Sequence, residues 1–396
     1  MSPVRHHRAA AVLAGTALAV VTTAPAFAAE ATGTVLHAGS PTAVAGTYLV
    51  TFKDGVQADQ ARAGRLAAPY GGSVAKVFGH AIEGYTAHLT ARQAARLAAD
   101  PSVASVEADQ TVTVADTQNS APWGLDRIDQ RALPLSGTYT YGPSSGTTVY
   151  VIDTGIRTTH QDFGGRASYG YDAVDGDNVA QDGNGHGTFV AAVAVGSTYG
   201  VAKNASVVGV RVLNNNGSGT TAGVIAGIDW VTAHAVAGRS VANLSLGGGA
   251  STTLDAAVRR SIAAGIPYAI AAGNSGVNAS TNSPARVTEA LTVGSTDRTD
   301  ARASWSNYGS VLDVFAPGVS ITSAWRTGDT ATYTGSGTSF SSPHVAGAAA
   351  LYLSAHPGAS VATVNAAVVG TATTGVVTGA GSGSPNRLLY TGSLAG

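Results

Sequence analysis

The sequence predicts an α/β protein: a parallel central sheet with helices on both faces, preceded by a small α+β module. Three observations carry that expectation. Beyond residue 146, short apolar runs alternate with segments of helical period, the pattern of parallel strands covered on both sides. Residues 46–114 carry strand and helix signals of their own, set apart by a polar stretch. Finally, 396 residues, 44% of them hydrophobic, suffice for two domains, or one large and one small.

Composition narrows the function classes. Only 11% of residues are charged and the formal net charge is −1, so nothing suggests a nucleic-acid or polyanion partner. No cysteine is present, which excludes disulfides and thiolate metal sites. The single methionine is Met1.

Taken in order, the chain opens on a basic segment of Arg5, His6, His7 and Arg8, followed by an apolar run from Ala9 to Val21. Ala26 and Ala28 then supply the A-x-A pattern of a cleavage site, so residues 1–28 read as an export signal. The run is too short and too rich in Ala and Gly to span a bilayer well. The protein is therefore expected outside the cell, with no membrane attachment once the signal is removed.

In the small module, "TYLVTF" (47–52) and "EGYTAHLT" (83–90) read as strands. "TARQAARLAADPSV" (90–103) has helical spacing at Ala94, Leu97 and Ala98 before Pro101. "ADTQNSAPWGL" (115–125) is polar with a proline and reads as a linker. Strand candidates then follow as "TTVYVI" (147–152), "SVVGVRVL" (206–213), "SVANLSL" (240–246), "IPYAIAAG" (266–273), "ALTVGS" (290–295) and "LDVFAPG" (312–318). Between them "TTAGVIAGIDWVTAHAV" (220–236) and "TTLDAAVRRSIAAG" (252–265) are amphipathic at helical period. Ligands of such sheets bind beyond the carboxyl ends of the strands, so chemistry is sought there.

Four residues stand at such places, and each alone has a plainer reading. Asp153 ends an apolar run before Thr154 and Gly155, where an aspartate commonly only shapes a turn. His186 sits in a Gly-rich approach to a helix of Ala and Val, where a lone histidine is more often structural. Asn274 ends "YAIAAGN", where it could donate to a developing oxyanion or shape a turn. Ser339 precedes a helix, where backbone amides favour negative charge but where serine also serves as a cap. His160 opens no helix and reads as structural. The combination overturns the plain readings, because an alkoxide needs a base, the base an orienting carboxylate, and the intermediate a donor.

With those residues in place, "VYVIDTG", "NGHGTFVA", "NLSLGGG", "AAGNS" and "GTSFSSPHVAG" resemble the signature segments of the subtilisin-like serine proteases, in that group's Asp, His, Ser order. "APWGLDRIDQRALPLS", "YGVAKNASVVGVRVLNNNGSG" and "GSGSPNRLLY" are similar to the proteinase K and aqualysin branch. The resemblance runs from Ala121 to the end, and the preceding module is similar to the family's inhibitory propeptide. "GPSSG" (142–146) also fits an esterase pattern around Ser144, but the strand follows it instead of preceding it, so that reading fails.

The resemblance implies that Ser339 attacks the scissile carbonyl, His186 relays the proton, Asp153 holds the imidazole, and Asn274 meets the oxyanion with the Ser339 backbone N–H. Ser341 and Ser342 are expected to serve the helix terminus. Substrate is expected as an added strand between Gly217, Ser218 and Gly219 on one edge and Ser245, Leu246 and Gly247 on the other. Ala271, Ala272 and Gly273 would wall a roomy, uncharged pocket, implying broad cleavage after apolar or aromatic residues. Phe340 stands where members usually carry Met, which removes an oxidisable thioether beside the nucleophile. Relatives also carry cysteines near Gly183 and Asn215, and around 278–282 and 311, all absent here.

Calcium is the implied cofactor, since hard oxygen donors are what the chain offers. Asp313 with the carbonyls of Thr288 and Ala290 is one candidate site, and Asp126, Asp129 and Gln130 are a second. The implied organisation is a signal over 1–28, an inhibitory propeptide over 29–116 acting on its own enzyme, and a protease domain over 117–396. The protein is expected to act as a monomer on protein and peptide substrates, cut near residues 114–117. A catalytically silent peptide-binding homologue is the competing class, disfavoured because all four catalytic positions are intact. A free-standing inhibitor or chaperone is a third, disfavoured by its fusion to an intact protease.

Overall fold

A computed structural model of the chain describes residues 30–40, 43–110 and 116–394. The export signal read over 1–28 lies outside the described residues. The chain divides into two compact units, one within residues 1–38 and 44–109, the other formed by residues 39–43 and 110–396.

The first unit is α+β. Its strands are Val35–Leu36 (β1), Ala43–Phe52 (β2), Ser73–Gly79 (β3), Glu83–His88 (β4) and Val103–Gln110 (β5), and its helices Gln60–Ala67 (α1) and Ala91–Leu97 (α2). They form one sheet in the order β1-β5-β2-β4-β3. Helix α2 starts where the sequence supplies a capping box. Thr90 Oγ1 accepts from Gln93 N at 3.3 Å, and Thr90 N donates to Gln93 Oε1 at 2.7 Å. Ala94 and Leu97, the helical-period positions, are fully buried with Val106 and Tyr85.

The second unit begins with a correction. From Asp116 on, the stretch read as a linker is ordered: Asp116–Asn119 (β6) pairs antiparallel with Thr138–Tyr141 (β7), and helix Trp123–Ile128 (α3) starts directly after Pro122. Strand β6 buries none of its four residues, so it shows no alternating pattern that periodicity could detect. Its partner supplies the anchor, since Tyr139 is fully buried and donates its hydroxyl to Val201 O at 3.0 Å.

Thereafter strands and helices alternate: Thr148–Asp153 (β8), Ala167–Asp172 (β9), His186–Val195 (α4), Ser206–Arg211 (β10), Thr221–His234 (α5), Ser240–Leu244 (β11), Gly248–Gly249 (β12), Thr252–Ala263 (α6) and Tyr268–Ala271 (β13). Asn282–Ser283 (β14), Leu291–Thr296 (β15), Val314–Pro317 (β16), Ile321–Ala324 (β17) and Thr332–Gly335 (β18) follow. Thr338–Ala355 (α7), Val361–Thr371 (α8), Thr373–Thr374 (β19) and Arg387–Leu388 (β20) close the chain. The main sheet runs β19-β20-β16-β15-β13-β11-β8-β10-β9, parallel throughout except between β19 and β20.

The expected sheet buried on both faces is what the chain forms. On β8, Val149 and Val151 enter a core with α4 and α7, while Tyr150 and Ile152 enter a second core with α5 and α6. Helices α4 and α7 pack closely because their contact is built of small residues. A Cβ on Gly347 would lie 2.6 Å from Val201 Cβ and 2.8 Å from Ala194 O. Strand β8 lies between β10 and β11, so the chain changes direction across the sheet beside it. That is the place where a doubly covered sheet opens a crevice, and Asp153 is its last residue.

Candidate active site

Asp153 is fully buried, and its Oδ1 accepts from Thr154 N at 2.7 Å. The same oxygen lies 2.8 Å from His186 Nδ1. Because a carboxylate only accepts, Nδ1 carries the proton and Nε2 presents a lone pair. The turn after Asp153 requires Gly155, whose φ is +102° and whose Cβ would meet Ala180 O at 2.5 Å.

His186 is the first residue of α4, and its position is fixed by a residue that sequence reading missed. Asp182 Oδ1 accepts from Asn184 N at 2.9 Å, Gly185 N at 2.7 Å and Thr154 Oγ1 at 2.9 Å. Its Oδ2 accepts from Thr188 N at 2.9 Å, while Gly187 N donates to Thr154 Oγ1 at 2.9 Å. His186 N donates to Asn184 Oδ1 at 3.2 Å, so the free amides of the first turn are answered by one carboxylate, one hydroxyl and one side-chain amide oxygen, and the carboxylate suits the helix dipole. The sequence signal was an aspartate ahead of a helix start, a weak one in a Gly-rich loop. Burial disfavours the charged imidazole, yet the charge and hydrogen bond of Asp153 and the charge of Asp182 outweigh it. His186 is held above its ordinary 6.5.

The other histidines do not compete for the role. His160 is buried and caps a short 3-10 turn at Gln161–Phe163, with Nε2 donating to Ala331 O at 2.9 Å. His344 follows Ser339 on α7, but its Nδ1 donates to Phe340 O at 2.8 Å and burial pushes it down to about 4.

Ser339 is the second residue of α7. Pro343 within that helix has no N–H to donate to Ser339 O. Ser245 Oγ supplies the missing donor at 2.7 Å, and Ser339 Oγ in turn donates to Ser245 O at 3.0 Å. Behind this reciprocal pair, Asn243 Nδ2 donates to Ser245 Oγ at 2.9 Å and Ser342 Oγ donates to Asn243 Oδ1 at 2.8 Å. Ser341 Oγ lies 2.7 Å from Ser295 Oγ. Ser341 and Ser342 therefore tie α7 to the sheet and do not serve its terminus. The capping position is Gly337, and Ser341 and Ser342, about one turn further in, face the strands. The Ser339 hydroxyl rests on Ser245 O and makes no hydrogen bond to His186 among the described residues, as resting nucleophiles often do.

Asn274 is oriented without ambiguity. Its Oδ1 accepts from Thr338 N at 2.8 Å and Thr338 Oγ1 at 2.9 Å, so Nδ2 faces the other way. A Cβ on Gly337 would lie 3.7 Å from both Asn274 Nδ2 and Ser339 N. Two donors therefore border the space beside Gly337, a setting suited to an anionic oxygen. Thr338, also missed in the sequence, clasps the asparagine while accepting from Gly273 N at 3.0 Å.

Two adjoining cavities reach these residues. The larger, about 640 Å³, is lined by His186, by Gly217, Ser218 and Gly219, and by Ser245, Leu246 and Gly247. The smaller, about 330 Å³, is lined by Ser245, Leu246 and Gly247, by Ala271, Ala272 and Gly273, and by Asn274 and Ser339. No Asp, Glu, Lys or Arg is among the described residues lining the smaller one. Asn307 braces its wall: Nδ2 donates to Ala272 O at 2.9 Å and Oδ1 accepts from Ser275 N at 3.0 Å. Strands β12 and β14 pair along its rim.

The candidate metal residues fall in two places. Asp313 clasps the start of β15, with Oδ2 accepting from Thr292 N at 2.8 Å and its own N donating to Thr292 O at 2.9 Å. Thr288 and Ala290 occupy the turn just before that strand. Burial pushes Asp313 up to about 6, against the Thr292 hydrogen bond and the charge of Arg387. In the second place, Ser136 N donates to both Asp126 Oδ1 and Gln130 Oε1 at 3.0 Å. Asp129 Oδ1 is buried without a hydrogen-bond partner among the described residues. Burial and the nearby charge of Asp126 push Asp129 up to about 6. No three His, Asp or Glu side chains cluster among the described residues, so any cation would need carbonyl or amide oxygens as well. Ser144, in the rejected esterase pattern, is buried and accepts from Asn204 N at 2.8 Å, a structural role.

Comparison with known proteins places the chain in a family. Residues 144–388 match the profile described as the Subtilase family, and residues 47–115 match that of peptidase inhibitor I9. The chain is similar to an extracellular serine proteinase of a Thermus species, 50% identical over 373 residues, spanning 89% of this chain and 91% of that one. It is also similar to alkaline serine exoprotease A of Vibrio alginolyticus, 48% identical, spanning 90% of this chain and 69% of that one. Among solved structures, a cold adapted subtilisin-like serine proteinase is 51% identical with a TM-score of 0.67, covering 69% of this chain and 99% of that one.

Proposed function

Because the chain belongs to the subtilase family of serine proteinases and carries an I9 inhibitor segment ahead of its enzyme domain, we propose that it is a secreted, self-processing endopeptidase working through Asp153, His186 and Ser339. The carrying observation is the 2.8 Å pair of His186 Nδ1 and Asp153 Oδ1, with His186 lining the larger cavity and Ser339 and Asn274 the smaller one that adjoins it.

In the reaction, Ser339 Oγ leaves Ser245 O, gives its proton to His186 Nε2 and adds to the scissile carbonyl. Asp153 stabilises the imidazolium and fixes its tautomer. Asn274 Nδ2 and Ser339 N–H hold the oxyanion in a setting already arranged for it, so little reorganisation is needed. His186 then protonates the leaving amine, the acyl-enzyme remains, and water repeats the sequence from the other side. Gly217 to Gly219 and Ser245 to Gly247 would pair with the substrate backbone, which accepts many sequences. The uncharged pocket of Ala271, Ala272 and Gly273 supports cleavage after apolar or aromatic residues.

The signal over 1–28 and a relative named extracellular support secretion. Residues 29–116 would act as inhibitory propeptide and 117–396 as the mature monomeric enzyme. The proposed cut near 114–117 falls partly outside the described residues.

The test is turnover of casein and of a Phe-terminated p-nitroanilide between pH 5 and 9. His186 must be neutral to take the proton, and its pKa is raised. The rate should therefore be low in acid and climb through an apparent pKa above the ordinary imidazole value. A protein inert to both substrates, or a rate that falls over that climb, would overturn the reading.

Calcium fits the oxygen clusters, where it would neutralise the crowded carboxylates of Asp126 and Asp129 beside the Gln130 amide, and the buried Asp313 beside the carbonyls of Thr288 and Ala290. Bound there, it would brace the α3 turn and the start of β15 and take no part in catalysis. Chelation is expected to lower the melting temperature by on the order of 5–10 °C, if calcium stands at about 100 times its Kd. Asp129→Asn should remove much of that response, and a melting temperature indifferent to chelator would dismiss both sites.

A further inference from the structure

Next to His186, on a face that neither cavity reaches, lies a run of aromatic rings. Phe340, next after the nucleophile, has its ring centroid 5.7 Å from the imidazole and 4.0 Å from Phe189. Phe189 lies 6.4 Å from both Trp325 and Tyr333, edge-on to each. Trp325 and Tyr333 stack at 4.6 Å with their planes 30° apart. None of these four rings lines either cavity, and Tyr333 is 48% exposed although it rests on a tryptophan.

The pair is held in place beside the residue that precedes His186. A Cβ on Gly185 would lie 2.5 Å from the Trp325 ring, so that ring covers the backbone just before His186. Arg326 Nε donates to Asn184 O at 2.8 Å, and Trp325 N to Ala331 O at 2.7 Å. The loop beyond is pinned by Arg157 Nε to Asp329 Oδ1 at 2.8 Å. Little ordering remains to be done when a ligand arrives, which favours binding.

The chemistry of the site says which ligand arrives there. The acyl half of a substrate occupies the two cavities. The leaving amine takes its proton from His186, so the chain beyond the scissile bond departs on the imidazole side, over Phe340 and Gly185. Resting on the proteolytic reading above, we infer that Trp325 and Tyr333 form a binding surface for the leaving half of the substrate. It selects peptides with an aromatic or large aliphatic residue at the first position after the bond. A ring laid on such a pair gains both area burial and stacking, a preference on the order of 3- to 10-fold over glycine.

Acyl transfer measures this directly. The acyl-enzyme is formed from a Phe-terminated p-nitroanilide, which carries no residue beyond the bond. It is then offered glycinamide, leucinamide or phenylalaninamide in competition with water. The amine nitrogen attacks the ester carbonyl and passes a proton to His186; the C–N bond forms, the C–Oγ bond breaks, and Ser339 Oγ recovers the proton. The ratio of transfer to hydrolysis is read on one acyl-enzyme, so any change in acylation cancels. The expected ratio is about 3- to 10-fold higher for phenylalaninamide and leucinamide than for glycinamide. It should collapse toward unity in Tyr333→Ala, whose half-exposed side chain makes misfolding no concern, and in Trp325→Leu if that variant folds. Equal ratios in the wild type, or a preference surviving in Tyr333→Ala, would overturn the inference and leave the proteolytic reading intact. A wild type that releases no p-nitroaniline sinks both.

Discussion

Ser339→Ala is expected to leave the precursor uncut and to lower kcat by on the order of 10⁶, a magnitude known from a subtilisin, a member of the same family. The substitution deletes the attacking oxygen and one hydrogen bond, from Ser339 Oγ to Ser245 O at 3.0 Å. It spares the bond that secures the backbone, Ser245 Oγ to Ser339 O at 2.7 Å. The helix start, the Asn274 orientation and both cavities should survive, and stability should change little. Gel mobility during expression separates cut from uncut chain, and p-nitroanilide turnover measures the rest. An intact alanine variant that still turns over substrate would remove Ser339 from the mechanism.

The second large effect is Asp153→Asn, expected to cost about 10⁴ in kcat. The geometry gives this variant two unfavourable choices. With its carbonyl kept where Oδ1 now accepts from Thr154 N and faces His186 Nδ1, the tautomer survives but the charge is lost. Its new NH₂ then replaces Oδ2, a buried atom without a hydrogen-bond partner among the described residues, and is left unsatisfied. With the amide flipped, NH₂ points at Nδ1 and at the Thr154 N–H, and the imidazole must place its proton on Nε2, where it cannot accept one. Either way the imidazolium loses its counter-charge. The acid limb of the pH–rate profile should also move to lower pH, because the Asp153 charge is a main reason His186 is raised. A loss under about 10-fold would contradict the role that the triad assigns to Asp153.

What the sequence made legible was local. Apolar runs ending in Asp153 and Asn274, and glycines ahead of His186 and Ser339, mark strand ends and helix starts, and those are where the site lies. The parallel sheet was legible for the same reason, since strands such as β8 are buried on every side and read as unbroken apolar runs. What escaped depends on partners far along the chain. Ser342 answers Asn243 across 99 positions, so nothing near either residue shows that they brace Ser245 and Ser339. Asp182 reads as an ordinary turn aspartate until its two oxygens are seen collecting the first amides of α4. Strand β6 reads as linker because an exposed polar hairpin edge carries no apolar signal at all.

The close fit of α4 and α7 has a mechanical side. His186 is the first residue of one helix and Ser339 the second of the other, so the spacing between the two helices is also the working tolerance of the pair proposed as base and nucleophile. That spacing depends on a hydrogen atom at Gly347, where a methyl group would press on Val201 and Ala194. A residue that touches no substrate thus acts as the gauge block to which the active site is set.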